Sequence, residues 1–125
     1  MLSDKEAIAT VAVKDLKAAA EFYEGTLGLK EASREGEELI AYHCGHSFLN
    51  VYRSEYAGTN TATAVAWAVG DDIEGVVRAL KAKGVVFEHY DMPGMKLDGD
   101  VHIGGDMKVA SFKDPDGNIL NLVSR

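Results

Sequence analysis

The sequence predicts an α+β fold made from one strand-helix-strand unit used twice. Two observations carry this: a β-then-α pattern recurs half a chain later, and the C-terminus closes on a hairpin whose turn is legible residue by residue. Ile8 to Val13 reads as a β-branched strand, and Asp15 follows where a helix cap is wanted. Val65, Trp67 and Val69 alternate as a second such strand, followed by Asp72. Asp15 and Asp72 are 57 positions apart, and Gly28 and Gly84, which can stop the two helices, are 56 apart. Matching offsets of this kind mark an internal duplication.

In chain order, Leu16, Ala19, Ala20, Phe22, Tyr23 and Leu27 follow one helix face, with Gly25 or Gly28 ending it. Leu29 to Ala32 starts a second strand, Ser33 to Glu38 reads as a charged turn, and Leu39 to Cys44 and Ser47 to Arg53 read as strands around Gly45. Ala57 to Thr61 is a connection. The second helix is marked by Ile73, Val76, Val77 and Leu80, and Val85 to Tyr90 is the next strand. The turn Asp114-Pro115-Asp116-Gly117 joins the strands Val109 to Phe112 and Ile119 to Val123. Proline presets φ for a type I turn, and Gly117 can take the left-handed φ that closes a three-residue hairpin.

Composition narrows the function. The chain has 125 residues, 46% of them hydrophobic, and a formal charge of −7. That is enough chain for one cored domain, and the acidic balance leaves no basic face for nucleic acid or anionic lipid. Cys44 is the only cysteine, so no internal disulfide forms. Met1 to Glu6 lacks a secretion-signal pattern, and no apolar run nears the roughly 20 residues that span a bilayer. A cytoplasmic protein with no membrane partner is the expectation.

The motifs resemble a known family. Val13-Lys14-Asp15-Leu16 before a helix carrying Phe22-Tyr23, the later Gly28-Leu29, the duplication, and the aromatic-then-Asp-Pro-Asp-Gly-Asn hairpin all stand in the order of the vicinal-oxygen-chelate superfamily. That superfamily includes glyoxalase I, bleomycin-resistance proteins, fosfomycin-modifying enzymes and extradiol dioxygenases. The resemblance implies a single domain over 1–125 of two tandem βαβββ modules, about 7–56 and 62–125. They form a curved mixed sheet around a cavity, with helices outside. A plain ferredoxin-like sheet is the competing architecture. Under the family fold, strand alternation turns Val11, Val13, Val65, Trp67, Val69, Leu120 and Leu122 toward the helices. It turns Ile8, Thr10, His46, Phe48, Asn50, Tyr52, Ala64, Ile119 and Asn121 inward.

Metal-dependent relatives hold a divalent ion with His or Glu at positions that match Ile8, Asn50, Ala64 and Asn121. None of these four is a His or a carboxylate, and imidazole or carboxylate is what such an ion needs. No metal and no other cofactor is therefore expected. His43, His46, His89 and His102 show no metal-site spacing, and Cys44 reads as a small strand hydrophobe.

Two functions are open. One is a metal-free binding protein for an apolar or aromatic small molecule, with Tyr42, Phe48 and Tyr52 stacking and His46, Asn50 and Asn121 orienting it. Phe48, Tyr52 and Asn121 should then share a pocket. The other is a family-type lyase, epimerase, thiol transferase or dioxygenase, with a displaced metal site or acid-base chemistry from His43, His46 or His102. The glycine- and methionine-rich stretch from Met92 to Met107 fits neither strand nor helix. It reads either as a lid, with Met92, Met95 and Leu97 over an apolar ligand and Lys96 or His102 supplying charge, or as a surface excursion. Open sheet edges predict a homodimer.

Overall fold

A computed structural model describes all 125 residues. The chain forms β1 (Ala9–Val13), a helix that starts as α1 (Leu16–Ala20) and continues as a π-helix (Glu21–Thr26), β2 (Lys30–Glu35), β3 (Leu39–Cys44) and β4 (Ser47–Arg53). After the linker come β5 (Thr63–Ala68), a 3₁₀ turn (Gly70–Asp72), α2 (Ile73–Ala82), β6 (Phe87–Glu88), β7 (Lys96–Asp98), β8 (Val101–Gly104), β9 (Met107–Lys113) and β10 (Ile119–Val123). The α+β class and the doubled architecture are as expected. The first sheet runs β1-β4-β3-β2 and the second β5-β10-β9-β8-β7, with β6 also on β9. In each sheet the unit's first and last strands pair in parallel, β1 with β4 and β5 with β10, and the other pairings are antiparallel. β6 and β8 share the edge of β9 that corresponds to the place of β2 on β3. No helix is long and apolar enough to cross a membrane.

Several local readings are corrected, among them the expected strand from Val85 to Tyr90, of which only Phe87–Glu88 pairs. The expected turn from Ser33 to Glu38 is largely strand: β2 runs to Glu35, and all six of its residues are exposed. Alternating apolar residues cannot announce a strand that buries neither face, and its charges protect an open edge. The first helix is not regular. Its second half has i→i+5 bonding, with the Leu27 N–H donating to the Phe22 carbonyl at 2.9 Å. The stretch from Met92 to Met107 contains the β7–β8 hairpin, so it extends the second sheet rather than forming an irregular loop. At the helix starts, Asp15 caps as read, accepting from the Lys17 N–H at 3.0 Å, whereas Asp72 makes no cap bond and the 3₁₀ turn takes its place.

One core serves both modules. Val11, Val13, Tyr23, Leu49 and Val51 from the first pack in the same cluster as Ile73, Val77, Phe112, Leu120 and Leu122 from the second. Aromatic rings carry it across: Phe22 meets Tyr23 edge-on at 5.2 Å and Phe112 at 6.4 Å, and Phe87 meets Phe112 at 5.5 Å. The faces opposite the helices stay open. β1 and β5 lie side by side at the seam between the sheets without pairing.

The terminal hairpin locks the seam. Asp114 is 5% exposed, and its carboxylate accepts four hydrogen bonds: from the Asp116 and Asn118 N–H groups at 2.9 Å, the Asn118 amide at 2.8 Å and the Tyr23 hydroxyl at 2.8 Å. The Asn118 amide also donates to the Ala12 carbonyl at 2.8 Å, and the Lys14 N–H donates to Asp116 at 3.2 Å. Burial, then the neighbouring Asp114 charge, holds the Tyr23 phenol far above the usual tyrosine range, so it remains a donor. The linker closes over the same turn: Gly58 has φ +81°, and a Cβ there would lie 2.7 Å from the Asp116 carbonyl oxygen.

Truncating Asp114 leaves its buried donors without a partner, so Asp114→Ala is expected to cost about 3 kcal/mol or more in urea unfolding, against roughly 1 to 2 for Tyr23→Phe. Asp100 supplies a pH test. Hydrogen bonds from Lys81 and then His89, both 2.7 Å, hold its carboxyl below the ordinary 3.8. A depressed carboxyl stabilises fully above the unfolded value and loses that contribution as pH falls through the folded one. The stability gap between wild type and Asp100→Asn should therefore be open at about pH 7 and narrow progressively as the pH is lowered through the acidic range, measured by urea titration at each pH.

Candidate functional site

The candidate site is the open face, and strand register decides who stands on it. On β4, Leu49 and Val51 are buried under the helices, so Phe48, Asn50 and Tyr52 point the other way. Phe48 and Tyr52 are 40% and 37% exposed. His43 lies opposite Phe48 on β3, with ring centroids 5.3 Å apart, and Thr10 lies beside Asn50 on β1. On the second sheet, Leu120 and Leu122 are buried and Asn121 is turned to the open side.

Asn121 is fixed by its neighbours. Its Oδ1 accepts from the Ser111 hydroxyl at 2.8 Å, and its amide donates to Thr63 Oγ1 at 3.1 Å. This makes a neutral polar ladder across β9, β10 and β5. Sequence reading missed both partners. Ser111 was within reach, because it faces Asn121 across the predicted hairpin. Thr63 was not, because an irregularity between Ile119 and Leu120 shifts the register of β10 on β5 and sets Thr63, not Ala64, opposite Ile119. Ala64 instead packs against the core.

Tyr42 and His102 need correction as ligand contacts. Tyr42 is fully buried beneath the helices, across from Leu49, stacked on Tyr23 at 6.2 Å and donating to Glu24 at 2.8 Å. Burial, then the bond to Glu24, pushes its hydroxyl well above the usual range. The misreading is one of parity, since Tyr42 and Phe48 lie on adjacent strands but out of phase. His102 is 1% exposed: Nε2 accepts the Tyr90 N–H at 3.0 Å, which leaves Nδ1 to donate to the Val109 carbonyl at 3.2 Å. Tyr90 stacks over the ring at 6.3 Å. Both ring nitrogens are therefore engaged and the ring is sealed, tying the chain after β6 to β8 and β9.

The other candidates are spread apart. His46 sits in the β3–β4 turn, outside both strands. Met92 and Met95 are half-buried, and Met95 lies against Gly104, where a Cβ would stand 2.9 Å from its Cγ. They flank β7, the outermost strand of the second sheet, whereas Phe48 and Tyr52 belong to the first. Between β4 and β10 stand β1 and β5. Phe48 lines a cleft of about 300 Å³ at the seam, and neither Tyr52 nor Asn121 lines it.

The fold and the terminal hairpin now have counterparts. The profile described as "Glyoxalase/Bleomycin resistance protein/Dioxygenase superfamily" matches residues 7–122. The chain belongs to this superfamily. Among solved structures, it is similar to an integron cassette protein from the mobile metagenome of the Halifax Harbour sewage outfall, at a TM-score of 0.74 and 18% identity over 98% of this chain and 99% of that one. It is similar to lactoylglutathione lyase from Agrobacterium tumefaciens, at 0.73 and 17% over 98% and 95%. It is similar to the fosfomycin resistance protein FosX from Mesorhizobium loti, at 0.69 and 14% over 100% and 94%. At such identities the likeness is one of fold. No curated protein matches.

Superfamily membership raises the question of a divalent ion, and the residues at the positions that the resemblance matches to its ligands do not fit one. Ile8 offers an alkyl chain, Asn50 an amide, and Asn121 an amide already engaged on both sides with Ser111 and Thr63. No three His, Cys, Asp or Glu side chains come together in ligating range anywhere in the chain. Neutral amides and alkyl groups cannot replace the hydration shell of such an ion.

The sealed histidine gives a test. His102→Phe keeps a ring under Tyr90 but removes both backbone partners. It should cost roughly 2 kcal/mol and raise amide exchange at Tyr90 more than in the rest of the sheet, read by hydrogen exchange mass spectrometry.

Proposed function

We propose that the protein is a metal-free small-molecule-binding member of the superfamily, holding an apolar or aromatic ligand against the open face. The observation that carries this reading is the Ser111-Asn121-Thr63 ladder. At the position that the resemblance matches to a metal ligand, this chain has a hydrogen-bonded neutral amide, suited to orienting a ligand by hydrogen bonds. Phe48 and Tyr52 supply exposed aromatic area on the open face of the first sheet, across β1 and β5 from the ladder, and Asn50 adds a polar edge there. A family-type enzyme using histidine acid-base chemistry is the second reading. It rests on His43, whose ring stands on the open face against Phe48, while His102 is spent on the backbone. A homodimer is part of the proposal, because the outer strands β2 and β7 leave exposed edges that a second copy can cover.

Zinc, nickel, iron or manganese, added one at a time, should leave the melting temperature unchanged, since an ion stabilises only by binding the native state preferentially. One tightly held metal per purified chain would remove the metal-free reading. A panel of neutral aromatic compounds should raise the melting temperature, and Tyr52→Ala should abolish that rise. Light scattering at micromolar concentration should give twice the monomer mass, and a monomer mass throughout would remove the dimer.

A further inference from the structure

The two modules are related by an approximate twofold axis: β5 stands to β10 and β9 as β1 stands to β4 and β3. The axis maps the β9–β10 hairpin onto the β3–β4 hairpin, and one end of the β1/β5 seam onto the other. At one end the chain fills the seam itself. Residues 114–118 reach across, Asn118 donating to the Ala12 carbonyl and Asp116 accepting from Lys14. At the other end the turn is only Gly45-His46, and it leaves the cleft of about 300 Å³. Ala9, Cys44, Phe48, Ala66, Trp67 and Ala68 wall it; 9 of its 11 lining residues are hydrophobic and none is charged.

The cleft also has a polar seam. The Val69 N–H donates to the Val123 carbonyl, on the β10 side. Backbone groups alternate along a strand in a parallel pair, so those of Ala66 and Ala68 point the other way, toward β1. β1 does not pair with β5, so no strand meets them. At the mated end, the equivalent edge of β1 is met by an amide side chain, that of Asn118.

We propose that this cleft binds a small neutral aromatic molecule bearing an amide or lactam edge. Its ring lies by Phe48 and Trp67, and its edge meets the backbone of Ala66 and Ala68, as Asn118 meets Ala12 at the other end. Apolar walls without a cation select a neutral ring over an anion, and the volume is at the small end for ligand sites, with room for a bicyclic compound. The proposal rests on the binding reading above, and adds a separate location and a ligand class.

The only tryptophan, Trp67, and the only cysteine, Cys44, both line the cleft and report on it. Quinolin-2-one is the probe. It should quench Trp67 emission saturably and slow alkylation of Cys44 by iodoacetamide by roughly threefold or more at saturation. N-methylquinolin-2-one, which lacks the donor, should bind about tenfold more weakly. Ala68→Leu, which fills the cleft from an exposed strand position, should weaken the probe about tenfold or more with unchanged circular dichroism. Quenching that survives Ala68→Leu but is lost in Tyr52→Ala would put the ligand on the open face, overturning the cleft while keeping the broader binding reading. Absence of saturable quenching would overturn the cleft, as would protection of Cys44 by rising protein concentration alone, the mark of a second copy.

Discussion

The buried Asp114 carboxylate is the constraint on which the rest depends. An ionised group at 5% exposure is tolerable only with its lone pairs satisfied, and here four donors converge on it. Two of them come from the backbone of its own turn, which fixes the hairpin. The others are Tyr23 and Asn118, and through them the hairpin is tied to the first helix and to β1. A turn that looks local is therefore the joint between modules that share one core but no strand pairing. The aromatic contacts of Phe22 with Tyr23 and Phe112 lie directly behind it.

That joint separates architecture from chemistry. Among the most recognisable residues of the chain, Asp114 to Asn118, the buried Asp114 carboxylate and Asn118 amide are consumed in holding the fold. The candidate site lies on the other side of the sheet. There, the Asn121 amide and the hydroxyls of Ser111 and Thr63 have already found one another. A site of that kind recognises by hydrogen-bond geometry and apolar area rather than by Lewis acidity. The seam joins the two aspects. The same approximate symmetry that requires a lock at one end leaves room at the other, because the β3–β4 turn is too short to cross.

The sequence by itself determined the duplication, the strand faces and the terminal turn. Each is written in nearest-neighbour chemistry: period-two alternation in Val11 and Val13 or Leu120 and Leu122, Asp15 as a cap, and proline and glycine at the positions a type I turn and bulge require. Parity also placed Phe48, Asn50, Tyr52 and Asn121 opposite the core. It failed for Tyr42, read for its ring rather than its phase, and for β2, whose residues bury neither face and so carry no period.

Only the tertiary structure decided the rest, because the deciding contacts join residues far apart in the chain. Tyr23 finds Asp114, and Asn118 finds Ala12, across most of the chain's length. A register shift on β10 gives Asn121 the hydroxyl of Thr63 as a partner. His102 could be read as a ligand contact until the backbone of Tyr90 and Val109 took both its nitrogens. The cleft beside Trp67 exists because two modules meet without pairing, and a void between elements has no residue of its own to announce it.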